Sequence, residues 1–176
     1  MSAPREGPFL EDFQPGQIVR STVGRTISEA DNTWFTLLTM NTNQIHFNHD
    51  FAHKTEFGRP LVVSTLTLAI VLGLSVEDTS KHAVANLGWE EIILPKPVFA
   101  GDTLWSESEV LEVRESRSRP NCGIVKIRTR GINQHREVVI EYTRSFMVFK
   151  RSAPELLESF PTTDAPWNVG QVDDAR

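Results

Sequence analysis

The sequence predicts an α+β fold in which an antiparallel sheet wraps around one long central helix, and three observations carry that prediction. Pro60 to Val76 is an uncharged, mostly apolar run, and a helix apolar on every side is one that is buried on every side. Behind it come four stretches rich in Val, Ile, Thr and aromatic residues, at 84–94, 103–115, 123–132 and 137–149, the composition of strands. Within the third, Val125-Lys-Ile-Arg-Thr-Arg alternates apolar and basic residues strictly, as a sheet with one wet face requires. Successive antiparallel strands curling around a single helix hide both apolar surfaces at once.

Length and charge narrow the rest. At 176 residues one domain is expected. A hydrophobic share of 39%, with 10 Phe and 4 Trp, excludes disorder. Eighteen basic against 23 acidic residues leave a net charge of −5, so nothing electrostatic favours nucleic acid or an anionic membrane. Ser64, Thr65, Thr67 and Ser75 dilute the apolar run, which is also at the short limit for a membrane span, so it reads as a buried helix. Cys122 stands alone and forms no internal disulfide. The first eight residues lack the apolar core of a signal peptide, and a cytoplasmic location is expected.

In chain order, Pro8–Gly24 reads as a docked N-terminal arm followed by a short strand. Ser28, with Glu29 and Asp31 behind it, is placed to cap a helix. Ala30, Trp34, Leu37 and Leu38 recur at helical spacing, predicting an amphipathic helix over 29–39. A polar loop, Asn41-Thr-Asn-Gln, leads into Ile45-His46, and Asn48 caps a short helix over 49–53. Gly58-Arg-Pro turns the chain into the central helix, placed near 62–77, and Asn133-Gln-His-Arg joins the last two strands. The domain is expected over 1–151, with a Pro- and Asp-rich tail over 152–176.

No Gly-rich phosphate loop and no Gly-x-Ser-x-Gly elbow is present. The densest polar cluster runs from Asn41 to His53. His49 and His53 lie four apart, so on a helix they can share a metal, with His46 as a third ligand. The pattern lacks the Glu of the metalloprotease motif, Asp50 points off the shared face, and a solvated helix face is the simpler reading, so no metal is expected. His46 differs from the other two. It stands between Ile45 and Phe47 at the exit of a polar loop, where burial tunes an imidazole toward acid–base work near neutrality. Arg114, Arg117, Arg119, Arg128 and Arg130 form a basic patch suited to phosphate. Pairing with Glu107, Glu109 and Glu115 on a wet strand face is the preferred reading.

From Ser28 to Ala52 the chain resembles the hydratase signature of the MaoC-like dehydratase family, the (R)-specific enoyl-CoA hydratases. That signature is a capped helix, then Asp-x-Asn-Pro-(aliphatic)-His, then a short helix ending in a small residue. Here it reads Asn41-Thr-Asn43-Gln-Ile-His46, with Ala52 as the small residue. Pro97-Val-Phe-Ala-Gly-Asp-Thr-Leu104 is similar to the family's Pro-Val-x-x-Gly-Asp-Thr-Leu. Within the family, the wording around the loop looks most like the mesaconyl-CoA and itaconyl-CoA hydratases.

The resemblance implies a single hot dog per chain and reversible addition of water across the 2,3 double bond of an enoyl-CoA thioester. It makes His46 and Asn41 the catalytic pair and Asn43, Val63 and Ser64 substrate-binding residues; Arg59, beside the helix start, is the candidate for binding a second carboxylate, with a plain Gly-Arg-Pro turn as the alternative. It implies no cofactor, CoA being part of the substrate, and a homodimer or higher homo-oligomer. Two departures stand out. Asn41 replaces the family aspartate, and an amide orients water without taking its proton; Gln44 replaces the proline. Val63-Ser64 stands where the family commonly has His-Gly. The rival readings are a hot-dog acyl-CoA thioesterase and a non-catalytic acyl-CoA-binding module.

Overall fold

The computed structural model describes residues 7–153. The tail expected over 152–176 lies almost wholly outside them.

Among the described residues, six strands form one antiparallel sheet. They are β1 (Ile18–Arg20), β2 (Arg25–Thr26), β3 (Ala83–Ile93), β4 (Thr103–Glu115), β5 (Cys122–Asn133) and β6 (Val138–Phe149). The order is β1-β4-β5-β6-β3, with β2 also on β4. The four long strands fall within a residue of their predicted bounds. Three helices accompany them: α1 (Glu29–Leu38), α2 (His49–His53) and α3 (Ser64–Ser75). The sheet curls around α3, the hot-dog arrangement. No helix among the described residues is long and apolar enough to cross a membrane.

Helix α3 packs on the sheet through Leu66, Ile70 and Val71, which share a core with Ile27, Leu104, Val139 and Ile140. Gly131 on β5 makes the close approach possible. A Cβ there would sit 2.6 Å from Val71 and 2.7 Å from Ile140, well inside van der Waals contact. A second cluster, Leu10, Phe13, Val110, Val125, Ile127, Phe146 and Val148, seats the N-terminal arm on the sheet. The helix is shorter than the apolar run, because the chain passes into a π-helical turn at Val76–Ser80. It is also less enclosed than expected: Ser64, Thr65, Ala69 and Gly73 are exposed.

Helix α1 starts where predicted but is turned the other way. Ser28 accepts from the Asp31 N–H and Asp31 reciprocates, and Arg25 donates to the Asp31 carboxylate at 2.7 Å. The hydrogen bonds from Arg25 and Ser28 hold that carboxyl well below its usual range, at about 2. The apolar stripe, however, faces outward, with Trp34 65%, Leu37 66% and Leu38 79% exposed. Asn32 and Thr36 are the buried residues. The physical reason is polar: the inward face of α1 lies against backbone carbonyls and N–H groups that need partners, and an amide supplies them.

The basic patch follows the preferred reading in part. Glu107 is 8% exposed and accepts from Arg20 and Arg130. Burial raises its pKa, and the two guanidinium bonds more than reverse that, leaving it lowered. Arg128 approaches Glu109 at 3.9 Å. Arg114 pairs with Glu112, while Glu115 takes Lys150.

Candidate active site

The loop after α1 is held by its own short-range bonds. The Asn41 N–H donates to the Thr36 carbonyl at 2.9 Å, and Asn41 Oδ1 accepts the Asn43 N–H at 3.0 Å. Asn43 in turn caps the 3-10 turn Gln44–His46 by accepting from the Ile45 N–H. Asn48 caps α2 by accepting from the Phe51 N–H at 3.1 Å. These are Asx-type turns, which explains why the segment is so rich in asparagine.

His46 ends the 3-10 turn, and its Nδ1 lies 3.0 Å from the Leu61 carbonyl oxygen. A carbonyl only accepts, so Nδ1 carries the proton and Nε2 is left with a lone pair. The Leu61 carbonyl also takes a bond from Asn32 Nδ2 at 2.9 Å, while the Leu61 N–H donates to the Ile45 carbonyl. The imidazole is thus fixed to the chain segment that leads directly into α3.

Two cavities meet at His46. The larger, about 300 Å³, is walled by Phe57, Leu61, Val62, Pro95 and Val98, with Ser64, Thr67 and Lys96 as polar groups. A mostly apolar cleft with few convergent polar groups is the usual form of a small-molecule site. The smaller, about 180 Å³, is shared by His46, Asn32, Glu29, His49 and Arg59. The Pro97–Leu104 motif builds the wall between β3 and β4. Gly101 adopts φ 97°, which suits glycine, and the Asp102 carboxylate accepts the Phe99 N–H at 2.9 Å.

At the start of α3, the Val63 N–H is already taken by Asn32 Oδ1 at 2.9 Å. The Ser64 and Thr65 N–H groups find no acceptor among the described residues. They form the positive end of the helix, and Ser64 lines the cavity beside His46. Of the expected substrate-binding pair Val63 and Ser64, Ser64 is therefore the one with a donor available. Arg59 is exposed, its guanidinium 3.8 Å from the Phe99 ring centre.

Other sequence expectations fare differently. Asn41 lines a third cavity, with Thr36, Leu37, Met40 and Phe47, while His46 lines the first two. Asn43 is exposed and spends its side-chain oxygen on its own turn. His53 gives its Nδ1 to the Gly58 carbonyl at 2.8 Å, which ties α2 to the following turn. Asn32 was not anticipated. The available signal was a polar pair, Asn32 and Thr36, at i and i+4 on a helix whose apolar residues lie on another face.

Comparison with known proteins gives the family. The family model for mesaconyl-CoA hydratase matches residues 2–164. A mesaconyl-CoA hydratase from Cereibacter sphaeroides is 35% identical over 167 residues, covering 90% of this chain and 48% of the relative. A beta-methylmalyl-CoA dehydratase from Chloroflexus aurantiacus is 35% identical over 174 residues, covering 93% and 49%. The chain thus spans about half the length of these curated relatives. The solved structure of a MaoC-like dehydratase from Rhodospirillum rubrum superposes with a TM-score of 0.72 at 30% identity, covering 84% of this chain and all of that one. By family model, identity and fold together, the chain belongs to the mesaconyl-CoA hydratase family, among the MaoC-like dehydratases.

Proposed function

We propose that this chain is a hydratase that adds water reversibly across the 2,3 double bond of an enoyl-CoA thioester, with a branched C5-dicarboxylic acyl group of the mesaconyl type as its substrate. The observation that carries the reading is the fixed ring of His46. Its Nδ1–H is bound to the Leu61 carbonyl, leaving Nε2 as a base at a mostly apolar cavity that Ser64, at the N-terminus of α3, also lines.

In the hydration direction, His46 Nε2 takes a proton from water as the water oxygen bonds to C3. The electron pair of the double bond moves toward the thioester, whose carbonyl oxygen becomes enolate-like. The Ser64 and Thr65 N–H groups stabilise that charge. The imidazolium then returns its proton to C2, so one water is consumed and His46 is restored. Dehydration runs the same steps backward. Asn41 orients water or the loop without exchanging a proton, and Asn43 holds the turn that places His46. Arg59, beside His46 in the smaller cavity, is the candidate partner for a second carboxylate. Val63 anchors the helix start.

The reading invokes no metal or other cofactor; CoA enters as part of the substrate. A second copy of the chain is the proposed partner. Strand β3 ends the order of strands with β6 as its neighbour, and Leu87, Trp89, Ile92 and Ile93 on it are large apolar residues left exposed. Pairing two copies along this edge covers a strand otherwise open to aggregation. The cytoplasm, where acyl-CoA thioesters are turned over, is the proposed location.

A panel of CoA thioesters, mesaconyl-CoA among them, tests the reading. Loss of the enoyl absorbance without release of free thiol is expected. Thiol release in its place identifies a thioesterase, and binding with neither change identifies a non-catalytic acyl-CoA-binding module.

A further inference from the structure

Asn32 is 4% exposed, sits on the inward face of α1, and has every strong hydrogen-bonding atom of its amide engaged by backbone. Its Nδ2 donates to the His46 carbonyl at 2.8 Å and to the Leu61 carbonyl at 2.9 Å. Its Oδ1 accepts the Val63 N–H at 2.9 Å. The orientation of the amide is unambiguous, because the flipped form would set an oxygen against two carbonyls and an NH₂ against an N–H. One side chain therefore joins the turn that carries His46 to the segment entering α3, where it holds both the carbonyl that fixes the His46 tautomer and the N–H of the helix cap, Val63.

We propose that Asn32 is a positioning residue that sets the His46 ring and the exposed N–H groups of Ser64 and Thr65 at a fixed separation. The proposal rests on the reading of His46 as the acid–base group. Its logic is that the two halves of the chemistry come from segments remote in sequence. His46 belongs to the loop after α1 and Ser64 to α3, and without Asn32 they are tied by the Leu61 N–H to the Ile45 carbonyl and by His46 Nδ1 to the Leu61 carbonyl. Asn32 adds the cross-brace. By claiming the Val63 N–H it also decides which helix-end donors are left for a ligand, moving the free pair one residue on, to Ser64 and Thr65. No carboxylate serves equally well. An Asp in this place accepts from the Val63 N–H but sets its second oxygen against the His46 and Leu61 carbonyls. Only its protonated form donates to one of them.

Two variants of the full chain test this. In Asn32→Leu the brace is lost while the volume is kept. Displacement of reacting groups by about 1 Å can cost 10²-fold, so kcat should fall by roughly 10- to 10²-fold with KM changed much less. The ¹⁵N signals of the His46 ring, assigned by their disappearance in His46→Ala, should shift from one Nδ1–H tautomer toward a mixture. Val125→Ala, in the second core cluster away from the site, serves as the control for stability alone and should keep kcat at matched distance from its Tm.

Asn32→Asp keeps the protein testable if the Leu variant does not fold. Its activity relative to the native chain should be highest at the acid end and fall as pH rises and the carboxyl ionises. Glu29, His46, His49 and Arg59 are the other ionisable groups that face the same cavity, and the ratio is taken at each pH against the native chain, which carries all four. An unchanged tautomer in Asn32→Leu, together with a kcat no lower than that of Val125→Ala, overturns the proposal. So does a flat Asp-to-native activity ratio across pH. Full activity of His46→Ala is a separate result: it overturns the reading of the site, whereas the ring signals still decide whether Asn32 sets the imidazole.

Discussion

Gly131→Ala should drive the central helix away from the sheet. The new methyl carbon would lie 2.6 Å from Val71 Cγ2 and 2.7 Å from Ile140 Cγ2, where carbon atoms rest at about 3.5–4.0 Å. Each contact is therefore about 1 Å too short. Neither neighbour has an easy escape: Val71 and Ile140 are both fully buried, both are β-branched and stiff at χ1, and Ile140 is the β6 residue paired with Gly131 in the sheet. The Val71 contact is relieved by moving α3, and the Ile140 contact only by distorting the β5–β6 pairing. Overpacking of this kind costs about 1–3 kcal/mol. For a chain of this length that lowers Tm by about 2–4 °C per kcal/mol. Val71→Ala removes the Cγ2 methyl at 2.6 Å and with it Cγ1 at 3.4 Å, at about 0.5–1.5 kcal/mol each by analogy with other buried methyl deletions. The Ile140 contact remains in the double variant, so it should be less stable than Val71→Ala alone but should lose less than the sum of the two single losses, a coupling of about 1 kcal/mol. Thermal unfolding of the four proteins measures it. An unchanged Tm for Gly131→Ala, or strictly additive losses in the double variant, would refute the packing account.

Other expectations follow from individual bonds. Asn41→Asp keeps an acceptor for the Asn43 N–H and should retain the loop and hydratase activity. Asn41→Ala removes that acceptor and should cost about 0.5–1.5 kcal/mol of local stability, with a smaller loss of kcat than His46→Ala; both are read from unfolding and steady-state kinetics. The Asp31 carboxyl, lowered from 3.8 to about 2 by Arg25 and Ser28, contributes stability that is present above about pH 4 and lost as the pH falls toward 2. Asp31→Ala should therefore destabilise by about 1–2 kcal/mol at pH 7, and its gap from the native chain should close in acid unfolding below pH 4. Arg144 is 4% exposed, donates to Thr79 Oγ1 at 3.1 Å, and its Nε finds no acceptor among the described residues. Burial pulls its pKa down. Arg144→Met should leave stability equal or higher, and a loss of more than about 2 kcal/mol in denaturant unfolding would contradict this.

Much of the fold is legible because the strands carry a period of two and the central helix carries none. Val125–Arg130 alternates, and β5 shows the matching alternation of buried and exposed positions. The caps at Ser28 and Asn48 are local chemistry, so they are readable from a few residues. The orientation of α1 was not readable from its stripe. Trp34, Leu37 and Leu38 mark an apolar face by spacing, yet the face turned inward is the one whose Asn32 satisfies three backbone groups. A long-range polar network leaves no periodic trace in sequence. The site was legible at His46, through the resemblance of its loop, and less so at Asn41, whose place in a separate cavity depends on how Phe47 and α1 meet. The choice of Ser64 and Thr65 over Val63 as free donors depended on Asn32, a partner 31 positions away.

His46 is the residue on which the proposed chemistry depends. With mesaconyl-CoA, the native chain should show loss of the enoyl absorbance, and His46→Ala should lower kcat by roughly 10²-fold or more with an unchanged unfolding transition, the usual effect of removing a general acid–base group. Full hydratase activity in a folded His46→Ala protein would place the chemistry elsewhere and contradict the assignment.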